Sequence, residues 1–138
     1  MNKFHEPVLL AECISGLNIN KTGVYVDVTF GGGGHSKEIL RNISKDSKLI
    51  VFDQDQESIL QNDITDDRII IMNKNFRYLH NCLTSIGIDK VDGIIADLGV
   101  SSHQINTSRG FSFNSQSKLD MRMNKSSSLT ALEVLNEY

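Results

Sequence analysis

The sequence predicts an α/β chain, a parallel sheet with helices on its faces, and three observations support that prediction. Short β-branched runs alternate with helical periodicity through the first hundred residues. Four glycines, Gly31 to Gly34, fall between a strand and a helix. An acid, Asp53, closes the second strand.

The first strand spans 24–30, VYVDVTF, which is β-branched and aromatic and stops at the glycines. The segment SKEILRNI that follows sets Ile39, Leu40 and Ile43 on one helical face. A second strand runs from Lys48 to Phe52, and QESILQN then gives a short helix. RIIIMNKNF supplies a third strand, RYLHNCLTSIG a helix closed by Gly87, and VDGIIADLGV a fourth strand. Such alternation needs crossover connections, so the strands run parallel. Residues 101–128 are polar and rich in serine and asparagine, a long irregular loop ahead of a helix in TALEVLNEY. A doubly wound sheet ordinarily continues past its fourth strand. The chain therefore reads as a fragment with that strand as an open edge, through which copies can associate as a homo-oligomer.

Length and composition set the outer limits. At 138 residues with 39% apolar and 22% charged residues, the chain can bury roughly two-thirds of its unfolded surface around one principal core. Disorder and collagen are excluded. A net charge of -3 rules out a uniformly cationic nucleic-acid binder, so any such contact is local. Cys13 and Cys82 lie far apart and form no C-x-x-C pair, which points to a reducing cytoplasm rather than a secreted disulfide scaffold. The apolar run Val8 to Ala11 is too short for a signal peptide, and nothing reaches membrane-spanning length.

The chemistry concentrates at the strand ends. Gly31, Gly33 and Ser36 give G-x-G-x-x-S, a near relative of the dinucleotide fingerprint, and Asp53 follows Gly33 by twenty residues, where an acid accepts ribose hydroxyls. HSKE after the glycines lacks the lysine of a P-loop. Asp27, four residues before the glycines, suits a ligand with a cationic amino group better than a pyrophosphate; its bland reading is a turn cap or a lysine partner. Asp53, Asp55 and Glu57 fail the calcium-loop pattern and otherwise read as a solvated helix entrance. His5, His35, His80 and His103 offer no paired ligand spacing, so no metal site is expected; His35 stands out for its place in the glycine turn. Asp97, at the carboxyl end of a fourth strand taken as central, is read either as a reacting group or as a cap for the next loop. Phe76 either flanks an adenine ring or fills the core. Phe111 and Phe113, set among Arg109, Lys118, Arg122 and Lys125 against Asp120, a local balance of +3, either stack on bases or pack the loop.

HEPVLL, YVDVTFGGGGHS, FDQD, DGIIADLGVSSHQ, RGFSF and LDMRM together resemble the bacterial small-subunit rRNA cytosine-N4 methyltransferases, the MraW or RsmH family. The resemblance implies a Rossmann-like S-adenosylmethionine-dependent methyltransferase fold, with small-subunit ribosomal RNA or a ribosomal particle as partner. It places cofactor contacts at Gly33, Gly34, His35, Asp53, Phe76, Asp97 and Gln104, and catalysis at Asp97. Family members are about twice as long, so residues 1–138 correspond to a partial cofactor-binding domain without the substrate-recognition insertion and later strands. Related amino-methyltransferases follow their acid or amide with two prolines and an aromatic residue, where this chain has Leu98, Gly99 and Val100. Two rival classes remain: a non-catalytic nucleotide-binding or assembly module, and an NAD-dependent oxidoreductase resting on the glycine spacing and Asp53 alone.

Overall fold

Strands form where the sequence concentrates side chains suited to a sheet buried on both faces. The computed structural model describes residues 7–138, so His5 and Glu6 of the HEPVLL string lie outside the described residues. Two compact units divide the chain, one ending at Leu98 and the other spanning Gly99–Tyr138.

In the first unit, β1 (Val24–Asp27), β2 (Lys48–Phe52), β3 (Ile69–Met72) and β4 (Gly93–Ile95) form one sheet in the order β3-β2-β1-β4. All pairings are parallel, with Tyr25 opposite Leu49 and Gly93, and Ile50 opposite Ile70. The strict two-residue period of a strand sorts the core into two layers. Tyr25, Leu49 and Val51 join Ile39, Leu40 and Ile43 of the α2 region (Gly34–Asn42) on one face, with Cys13 and Ile14 of α1 (Leu10–Gly16) packed beside them. Val26, Ile50 and Phe52 meet Leu83 of α4 (Leu79–Ser85) and Ile88 on the other. This is the α/β, Rossmann-like arrangement expected of the alternating pattern. The short α3 (Gln56–Leu60) joins β2 to β3.

The second strand has the bounds expected of it, Lys48–Phe52, whereas the other three are shorter than their runs. The first was expected over 24–30, yet beyond Asp27 the Phe30 N–H donates to the Phe52 carbonyl and the chain bends into the glycines. The third ends at Met72, where Lys74 N–H turns back to the Met72 carbonyl. Phe76 therefore opens a 3-10 turn, Phe76–Tyr78, instead of ending a strand. The fourth keeps only Gly93–Ile95 and is an outer strand of the described sheet, so Asp97 lies two residues past an edge strand and not on a central one. The helix α1 was not anticipated, because its seven residues leave no fully buried side chain and only a weak apolar face.

The second unit contains α5 (Ser102–Ile105), inside the stretch expected to be irregular, and α6 (Ala131–Glu137). Both begin with a reciprocal capping box, Ser101 with Gln104 and Thr130 with Glu133. Its buried side chains are polar: Gln104 and Arg109.

Candidate functional site

Because the four strands are parallel, their carboxyl ends lie along one edge of the sheet, and the chain reverses its direction of strand addition between β1 and β4. Open α/β sheets bind ligands in the crevice at such a switch point. The segments that leave the sheet there carry the glycine turn, Asp53, Phe76 and Asp97.

The glycine turn is required by backbone and packing together. Gly31 and Gly33 have φ of +49° and +75°, left-handed values that side-chain-bearing residues rarely adopt. A Cβ at Gly33 would stand 2.5 Å from Asn62 Nδ2 and 2.8 Å from Ile64 Cδ1, and one at Gly34 would strike the Pro7 ring, whereas Gly32 faces open space. Gly33 caps α2, and the first bond of that helix runs from Lys37 N–H to the Gly33 carbonyl. The N–H groups of Gly34, His35 and Ser36 thus precede the intrahelical ladder, at the positive end of the helix dipole. The buried His35 ring points elsewhere, its Nε2–H donating to the Val8 carbonyl at 3.2 Å. What His35 offers the turn is its main chain.

Three acids stand at the same edge, each held differently. Asp53 accepts the Gly31 N–H on Oδ2 at 2.9 Å and the Asp55 N–H on Oδ1 at 2.8 Å, so it fixes the start of the glycine turn. A carboxylate has about four acceptor positions, which leaves Asp53 capacity for two more donors. Burial pushes its pKa above the usual carboxylate range, although the two N–H bonds oppose the shift. Asp27, 1% exposed, is the turn cap of its bland reading: Oδ1 takes the Thr29 N–H at 3.0 Å and Oδ2 the Ser36 hydroxyl at 2.6 Å. No lysine pairs with it among the described residues, and burial raises its pKa too. The exposed Asp97 donates its backbone N–H to Thr29 Oγ1 at 2.7 Å, and its carboxylate has no partner among the described residues, so it does not cap the following loop.

Asp55 and Phe76 differ from what their sequence context suggests. Asp55 is not a solvated helix entrance but a buried N-cap of α3, accepting the Glu57 N–H at 3.1 Å. Phe76 is 43% exposed, which removes the core-filling reading. Its turn is tied to the end of β2 by Asn73 Nδ2 donating to the Asp53 carbonyl and Asn75 Nδ2 donating to Gln54 Oε1, both at 2.9 Å. The structure therefore brings Gly33, Gly34, His35, Asp53, Phe76 and Asp97 to one sheet edge. Gln104 belongs to the second unit, where its side-chain oxygen accepts the Ser101 N–H at 3.0 Å and caps α5.

The expected cationic surface of the second unit is thinner than its sequence implies. Arg109 is 5% exposed, with Nη1 donating to the Met123 carbonyl. Arg122 forms a fork on Asp120 at 2.9 and 2.7 Å and reaches the Ser127 carbonyl at 2.6 Å. These two arginines hold loop backbone, and Asp120 is pulled down to about 2 by Arg122. Lys118 and the fully exposed Phe113 remain at the surface.

Thr29, Asn73 and Asn75, which the sequence does not single out, connect the strand-end loops, and Ser36, read only as a motif position, bonds Asp27. The D-x-T spacing of Asp27 and Thr29, an Asx-turn pattern, was the available signal. Among the described residues no group of three or more His, Cys, Asp or Glu is placed to hold a metal ion, and no helix is long and apolar enough to cross a membrane.

A family model, the MraW methylase family, matches residues 2–138. Ribosomal RNA small subunit methyltransferase H of Christiangramia forsetii is 56% identical over 137 residues, covering 99% of this chain and 45% of its own length. The protein of the same name from Flavobacterium johnsoniae is 52% identical over 137 residues, with the same coverage. That of Phocaeicola vulgatus is 52% identical over 136 residues, 98% of this chain and 44% of its own. The chain thus spans a little under half the length of these curated relatives.

Proposed function

The chain belongs to the MraW methylase family, and from that premise we propose that its strand-end site binds S-adenosylmethionine for methylation of the N4 amine of a cytosine in small-subunit ribosomal RNA. One observation carries this reading: Asp53 and Asp97 stand at the strand-end edge, and among the described residues neither is ion-paired to a lysine or arginine. An edge of unneutralised acids suits a ligand bearing sulfonium and ammonium charges and opposes a pyrophosphate, which disfavours the oxidoreductase alternative.

The residues present fit the cofactor. Asp53 has acceptor capacity for ribose hydroxyls, the exposed Phe76 ring offers a face for adenine, and the main chain of Gly33, Gly34 and His35 lines the glycine turn, with Asp97 and Gln104 as the further contacts that the family resemblance implies. The bound cofactor supplies an electrophilic methyl group. Asp97 is the proposed catalytic residue: its partner-free carboxylate accepts a hydrogen bond from the cytosine amine, turns the nitrogen lone pair out of conjugation and offsets the positive charge that develops there. The methylated amine would then lose its surplus proton to water, restoring a neutral base. In this reading residues 1–138 form the cofactor-binding part of a cytoplasmic methyltransferase domain, and turnover on the ribosomal particle requires the further length that the relatives have.

Titration calorimetry of the chain with S-adenosylhomocysteine, S-adenosylmethionine and NAD tests the proposal. The first two should bind and NAD should not. Tighter binding of NAD would reinstate the oxidoreductase, and binding of none would favour an assembly module.

A further inference from the structure

The β1–β4 ladder ends in an unusual way. Val28 N–H donates to the Ile95 carbonyl at 3.0 Å, continuing the parallel register of Asp27 with Ile95. The next bond of a regular parallel ladder would run from Asp97 N–H to the Val28 carbonyl. It runs instead to the Thr29 hydroxyl, at 2.7 Å. That hydroxyl is oriented in turn: Thr29 N–H is fixed on Asp27 Oδ1 at 3.0 Å, and with one lone pair turned to Asp97, the Thr29 O–H faces the same Oδ1 at 3.5 Å. Asp27 is buried and anchored through Oδ2 on Ser36 in the first turn of α2. A continuous chain of side chains therefore runs from the glycine-turn helix through Asp27 and Thr29 to the backbone of Asp97, across the switch point between β1 and β4.

We propose that Thr29 is a positioning residue: its hydroxyl takes over from the sheet ladder to set where the Asp97 carboxylate stands, and so couples that carboxylate to the glycine turn. The inference rests on the proposed cofactor site and adds to it a residue that acts through Asp97. Replacing Thr29 by valine keeps the shape and removes the acceptor, leaving the Asp97 N–H without its partner; serine keeps the hydroxyl.

The test is a cycle of S-adenosylhomocysteine affinities, read by titration calorimetry on the 138-residue chain, for wild type, Thr29→Val, Thr29→Ser, Asp97→Ala and the Thr29→Val/Asp97→Ala pair. Thr29→Val should weaken binding about tenfold, Thr29→Ser should restore it to within about twofold, and Thr29→Val should add nothing once Asp97 is alanine. A loss of equal size in the Asp97→Ala background would make Thr29 a general structural residue and overturn the proposal, as would wild-type affinity in Thr29→Val. Amide exchange on the unsubstituted chain needs no variant to fold: bound S-adenosylhomocysteine should slow exchange at the Asp97 amide about tenfold, and unchanged exchange with ligand bound overturns the coupling. If wild type takes up no S-adenosylhomocysteine, the cofactor reading fails and this inference falls with it. Strong wild-type binding with an indifferent Thr29 sinks this inference alone.

Discussion

The strand-end edge of the first unit and the loop-rich second unit use the same residue types in opposite ways. At the edge, Asp27, Asp53 and Asp97 have no lysine or arginine partner among the described residues, and burial raises the pKa values of Asp27 and Asp53. In residues 99–138, Asp120 is forked by Arg122 and pulled down to about 2. Apolar packing on both faces of the sheet holds the first unit, so its strand-end acids need not pair with cations, and ion pairing in that unit falls to acids away from that edge, such as Asp66 with Arg68. The second unit buries Gln104 and Arg109 and has no buried apolar side chain, so its charges and caps do the holding. A charge is available to a ligand only where something else stabilises the backbone around it.

The largest effect expected from breaking this contrast comes from Asp53→Ala, which removes both the proposed ribose acceptor and the tether on Gly31. S-adenosylhomocysteine binding should weaken by about 1.5–3 kcal/mol, roughly ten- to 150-fold by calorimetry, and equal affinity in the mutant would take Asp53 out of the site. Gly33→Ala comes next. With φ of +75° and Asn62 and Ile64 against the new methyl, it should cost about 1–3 kcal/mol in urea unfolding, while Gly32→Ala, facing open space, should cost far less.

A smaller effect distinguishes the strand-end acids from the ion-paired ones by pH. Asp27 and Asp53 ionise less readily folded than unfolded, so their contribution to stability is most favourable in acid and declines as pH rises from 3.8 through their raised values. Asp120 runs the other way: its stabilisation is complete above 3.8 and is lost as pH falls towards about 2. Side-chain titration by NMR should show Asp27 and Asp53 ionising above 3.8 and Asp120 at about 2, with Asp66 of the first unit, forked by Arg68, also at about 2; ionisation of Asp27 and Asp53 below 3.8 would contradict the contrast. The smallest effect concerns the surface that the arginines leave. Lys118→Ala should reduce the salt slope of single-stranded RNA binding by about 0.7. Arg122→Ala should instead increase proteolytic cleavage within 99–138 several-fold, since that guanidinium holds loop carbonyls.

The order of elements was legible because strand and helix periodicities are local properties: KLIVF and IIIM have the composition of buried parallel strands wherever they are placed, and glycines between a strand and a helix mark a turn close to a ligand. The lengths of β1, β3 and β4 were not legible, unlike that of β2, because an apolar run does not record where its hydrogen-bonding neighbour turns away. Phe76 and Asp97 could each be placed near a strand end, but their exposure depends on Asn75, Thr29 and other residues remote in sequence.

The sequence by itself determined the α/β class, the glycine turn, the place of Asp53 at the end of the second strand and, through its motifs, the family. Tertiary structure alone decided which polar groups remain available: it turned Asp27 inward onto Thr29 and Ser36, left the Asp97 carboxylate partner-free, and committed Arg109 and Arg122 to the loop. The physical reason is that a hydrogen-bonding group is defined by its chemistry, but its availability is set by the partners that folding brings within about 3 Å of it, and those partners are distant in the chain.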